Sequence, residues 1–114
     1  MSLLDTIKAQ GGRAETRTLD VPEWGKPGAP LVIHYRRPNL NHLAAAIEAG
    51  HAKNPIRQNV DVLCQIAMDG QGKPLFRRLD AVALMEDADP VVLGRVMRDM
   101  GIIDGASEAE LEKN

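Results

Sequence analysis

Apolar positions recur along this chain with two different periods, and the change falls near residue 39. Before it, residues 16–21 and 31–36 are rich in β-branched or alternating apolar side chains, the pattern of strands with one face on a core. The nine residues between them hold Pro22, Gly25, Pro27, Gly28 and Pro30, which read as a long, stiff connection. These segments predict an antiparallel hairpin over about residues 16–37. A lone hairpin is marginal in water, so it should lie against helices. Ahead of it, residues 2–10 place Leu3, Leu4 and Ile7 at helical spacing before Gly11-Gly12, a short and detached helix.

From Asn39 onward the period is 3.6. Asn39 is placed to cap a helix whose Leu40, Leu43, Ala44 and Ile47 share one face, fading at residues 50–53. Asn54-Pro55 starts the next helix, with a capping side chain ahead of a proline in the first turn, where its missing N–H costs nothing. Its stripe is Ile56, Val60, Leu63 and Ala67, widened by Cys64 and Ile66. Residues 69–74, Asp-Gly-Gln-Gly-Lys-Pro, end it as an exposed turn. Leu75 and Phe76 then return to the core ahead of a short helix over about 79–86, with Leu79, Val82 and Ala83 on its inner side. Asp89-Pro90 repeats the cap-and-proline signal and opens a helix that closes at Gly101. The expected fold is mainly α, a small bundle of about four helices with an N-terminal β-hairpin. Residues 1–103 form one domain, and 104–114 form an acidic, frayed tail with little to bury.

Composition supports helices over sheets: 44% of the 114 residues are hydrophobic but only 3% are aromatic, so Ala, Leu, Val, Ile and Met build the core. The net charge is −2, and residues 104–114 hold four acids against one base. That balance is not the basic footprint of a nucleic-acid binder. No apolar run reaches the length of a membrane span, and residues 1–8 lack the pattern of a signal peptide. A soluble, cytoplasmic protein is expected.

Residue spacing excludes most chemistry. His42 and His51 lie nine residues apart, on opposite faces of any shared helix, and Cys64 sits in an apolar stripe, so no metal or cofactor is expected. Residues 69–74 match neither a phosphate loop nor a calcium loop, since Pro74 follows the lysine of the first and replaces the essential glycine of the second. Cys64 beside Leu63 reads as a buried, inert thiol. Arg36-Arg37 and Arg77-Arg78 have only Tyr35 and Phe76 interleaved, too few rings for a single-strand platform. The surplus lies on the last helix. Leu93, Val96, Met97 and Met100 share a face within a longer apolar run, and flexible thioethers suit an adaptable protein-binding surface. The alternative for the same residues is core. Excess apolar surface there and on Leu3 to Ile7 also predicts a homo-oligomer.

Taken in order, Asp20-Val21-Pro22-Glu23-Trp24-Gly25, a Val/Ile-rich strand ending in Arg36, Asp69 to Phe76, Asp80 with Leu84, and the closing Glu110-Leu111-Glu112-Lys113-Asn114 resemble the tail assembly chaperones of long-tailed bacteriophages and prophages. The resemblance spans roughly residues 18–114, with a loop at 26–30 longer than the family's usual tight turn. It implies a non-enzymatic, self-associating helical protein that coats the tape-measure protein in the host cytoplasm, keeps it soluble, helps recruit tail-tube subunits and does not remain in the virion. Members are often made in two lengths by frameshifting. The competing reading is a small prophage or bacterial adaptor that binds a protein or single-stranded nucleic acid.

Overall fold

The computed structural model describes residues 2–11, 15–51 and 53–103; the expected acidic tail lies outside them. Helix α1 spans Leu3–Gly11, and strands β1 (Arg17–Lys26) and β2 (Ala29–Tyr35) follow. Helix α2 (Leu40–Ala46) continues into a π-turn over Ile47–His51, and α3 (Pro55–Ile66), α4 (Asp80–Asp87) and α5 (Pro90–Asp99) complete the chain. The fold is mainly α with an N-terminal antiparallel hairpin, as the periodicities imply.

Every helix start but one is set by a local side chain. Ser2 Oγ accepts from the Asp5 amide and Asp5 returns the bond to the Ser2 amide. Asn39 caps α2 reciprocally with His42, whose Nδ1 accepts from the Asn39 N–H at 2.9 Å. Asn54 and Asp89 cap α3 and α5, each followed by a proline in the first turn. Leu79 gives α4 no such bond. These oxygens satisfy amides that a helix start otherwise leaves unpaired.

The hairpin departs from its expected form. Instead of a nine-residue loop, the strands continue to Lys26 and Ala29 and turn on Pro27-Gly28 alone. Proline presets the first central position, and Gly28 takes φ +75° at the second, a conformation that side chains disfavour. The extra residues are absorbed by an irregularity in register between Val21 and Lys26. Gly25 is required there, because a Cβ on it would meet the Ala29 carbonyl oxygen at 2.4 Å.

The inner hairpin face, with Val21, Ile33 and Tyr35, closes onto a core led by Val60, Leu63, Val96, Met97 and Met100. Helix α3 runs through the centre, against α2, α4 and α5. Three side-chain bonds tie the hairpin down. Arg95 of α5 grips Glu23 with two bonds of 2.6 and 2.7 Å, and the Tyr35 hydroxyl donates to the Asp99 carbonyl. After α3, Met68 lies beside β2 and exchanges both backbone hydrogen bonds with His34.

Candidate interaction surface

The face of Leu93, Val96, Met97 and Met100 is assembled on α5 as its spacing predicts, but it points inward. All four side chains are at most 5% exposed and belong to the core cluster, on a helix packed against α3 and β1. A solvent-facing groove there is therefore not what the fold contains: in this small domain the methionines fill space that aromatic residues would otherwise occupy. Val91, on the other side of α5, is exposed.

Outward-facing apolar surface lies elsewhere, on faces the periodicity assigned to the core. Along α2 and into the π-turn that follows, Leu40, Leu43 and Ile47 face solvent, Leu40 at 79%, while the buried residue of α2 is Ala46. Helix α2 approaches α3 through this small side chain, and the Gln65 side-chain amide donates to the His42 carbonyl at 2.9 Å. In α4 the inner residue is Ala81, with Leu84 and the C-cap Ala88 packed alongside, leaving the N-cap Leu79 and Val82 outside. Leu3, Leu4 and Ile7 of α1 are exposed as well. Among the described residues α1 packs extensively against no other element.

Between the hairpin and α4 lies a concave apolar site. Trp24 meets Phe76 edge to face, with ring centroids 6.2 Å apart and planes at 84°. Leu31, Leu75 and Leu84 complete its floor, Ala83 lies on its wall, and Asp80 and Asp87 stand on its rim. The tryptophan is anchored, as a ring of that size on a hairpin should be, but it remains partly exposed rather than sealed. The neighbouring Glu23–Arg95 bridge holds its strand, and the arginine keeps the Glu23 carboxyl below the usual range, mainly by hydrogen bonding. The bridge thus fixes one border of the site. Trp24 and Phe76 lie 52 residues apart, a separation that local sequence pattern does not bridge.

A second depression opens at the hairpin base, where Arg36, Arg37, His34, Asn39 and His42 surround a floor of Ile66 and Met68. Cys64 is buried in α3, and its thiol is pushed up to about 11, first by burial and then by the charges of Asp61 and Asp80. At neutral pH it is a thiol, a poor nucleophile. Among the described residues no three His, Cys, Asp or Glu side chains gather as a metal site, and no helix is long and apolar enough to cross a membrane.

No protein-family model matches the chain, and no curated protein matches it. Among solved structures it is similar to the tail assembly chaperone of bacteriophage HK97, with 21% identity and a TM-score of 0.54, over 92% of this chain and 98% of that one. At that identity the likeness establishes a shared fold.

Proposed function

We propose that the chain is a phage or prophage tail assembly chaperone that binds the tape-measure protein in the host cytoplasm and keeps it soluble while tail-tube subunits are recruited. The observation that carries the reading is the framed Trp24–Phe76 depression, concave and apolar with an acidic rim, beside helices whose apolar faces point outward. The fold shared with the HK97 chaperone supports it. A long amphipathic client helix presents leucine-type anchors at helical spacing, and such anchors dock in a groove of this kind. The outward stripe of Leu40, Leu43 and Ile47 supplies a separate surface for self-association, so that copies line up along an extended client. The chemistry is binding and release, with no covalent step.

The test is co-expression with the tape-measure protein of the same tail gene cluster. Ala83 is exposed on the wall of the depression, so Ala83→Glu leaves the fold intact while placing a charge where the client helix lies. Soluble client and co-purification should fall by at least about tenfold, the equivalent of about 1.4 kcal/mol. A variant that solubilises the client as well as the parent excludes the depression as the site. Salt-dependent capture of single-stranded oligonucleotide, with no effect on the client, would favour the adaptor reading instead.

A further inference from the structure

The charge around the Trp24–Phe76 depression follows a helical spacing. Asp80, Ala83, Leu84 and Asp87 all line the depression, and steps of three, four and seven residues put them on one face of α4. That face presents charge, apolar pair and charge over two turns, with about 10.5 Å of rise between the two aspartates. The hairpin contributes Trp24 and Leu31 to the same cavity, whose volume of about 570 Å³ has room for several side chains.

The two carboxylates are poorly matched by the rest of the chain. Asp87 is exposed, and its carboxylate forms no ion pair with any described residue. Asp80 accepts from the Arg77 amide at 2.7 Å, and one Arg77 guanidinium nitrogen stands 3.7 Å from its other oxygen. That guanidinium is on a side chain 87% exposed, so the pair is weak. Glu23, beside Trp24, already has Arg95. Among the described residues lining the depression there is no Lys, Arg or His. An apolar cavity with acids at both ends of one wall is complementary to an apolar anchor with bases at both ends.

We propose that the depression selects a basic amphipathic helix, one that offers an aliphatic pair at i+3 and i+4 to Trp24 and Phe76 and a lysine or arginine at i and i+7 to Asp80 and Asp87. The inference rests on the client reading above and deepens it by naming the sequence pattern that the client helix carries. A helix laid alongside α4 sets its own stripe of the same period against the Asp80–Asp87 stripe, and the long stems of its bases cover the apolar rim. Nucleic acid and anionic lipid surfaces are repelled by the same carboxylates. A second copy fits less well, because no described helix of this chain carries a base at each end of an exposed apolar stripe.

Trp24 is the chain's one tryptophan, so its emission reports on the depression. The full chain is titrated with alanine-based helical peptides that contain no aromatic residue: one with Leu at i+3 and i+4 and Lys at i and i+7, one with Glu in place of both Lys, and one with Lys kept and both Leu replaced by Ala. The Lys–Leu peptide should shift the emission saturably and bind at least about tenfold more tightly than either of the others, since each flanking charge changes from attraction to repulsion in the second and the anchor is gone in the third. Asp87→Lys should erase the preference for Lys over Glu while the melting temperature stays within about 2 °C, because a base is well tolerated in the last turn of a helix. Salt at about 1 M, where the screening length is about 3 Å, should erase it too and leave the leucine dependence. Equal binding of the Lys and Glu peptides overturns this inference but leaves the client reading standing, whose own test, Ala83→Glu, strikes the apolar centre of the site. Failure of every peptide to move the Trp24 emission overturns both. A shift produced by the protein's own concentration alone, or by oligo-dT, assigns the site to a second copy or to nucleic acid and overturns the proposal as well.

Discussion

Replacing Met97 and Met100 by glutamate separates a core face from a binding face on α5. Met97 is 0% exposed and Met100 1%. Each substitution gives up the burial of a methionine, about 2 kcal/mol. Each also places a carboxylate where it must ionise unpaired or stay protonated at neutral pH, a penalty of several kcal/mol. Together the pair costs about 10 kcal/mol or more, against a total stability of about 6–17 kcal/mol for a chain of 114 residues. The double variant should therefore lose its cooperative thermal transition and native near-UV circular dichroism. Met97→Ala alone should remain folded, less stable by about 3 kcal/mol, which lowers the melting temperature by about 12 °C. Val91→Glu, on the exposed side of the same helix, is the control and should stay within about 2 °C of the parent. A double glutamate variant that melts like the parent would refute the inward placement of this face.

Two further predictions concern the hairpin. Gly25→Ala forces a Cβ against the backbone of β2 and should cost about 2 kcal/mol or more in chemical denaturation, whereas Gly28→Ala, with open space around it, should lose only the 1–2 kcal/mol or so of a left-handed alanine; equal and negligible effects would reject the register. Because the Arg95 bond holds the Glu23 carboxyl below its ordinary range, the folded state binds fewer protons than the unfolded, so this contribution is present above about pH 4.5 and is lost as pH falls through the lowered value. Arg95→Gln should flatten the decline of melting temperature on the acid side, and parallel curves for the two proteins would show that the bridge does not form in solution.

Local chemistry was the most readable part of the chain. The caps at Asn39, Asn54 and Asp89 were visible because a cap needs only its own side chain and the next turn. The hairpin was visible too, though its strands ran further than the prolines and glycines implied, since Pro22 and Gly25 are accommodated within the irregular register. Helix faces were harder. Periodicity shows that α2 and α4 each have an apolar stripe, but which side meets a neighbour depends on how closely two backbones approach. Here Ala46 and Ala81 make the close approach, and the larger residues were left outside. The Trp24–Phe76 site was not legible for a related reason: its rings come from the hairpin and from the chain beyond α3, and only the register of β1 brings them together.

Met68 has a consequence for how this protein behaves when crowded. It adds one rung to β2 on the side away from β1, and its other neighbour is Pro74, which has no N–H to offer a further strand. Pro74 gives the ladder no further donor there, which makes that flank a poorer template for an extended segment from another molecule. On the opposite flank β1 carries Pro22 and the break in register, which interrupt the row of free backbone groups that a second chain would need. A hairpin blunted on both borders is a poorer template for backbone pairing at high local concentration, which favours meetings through side chains.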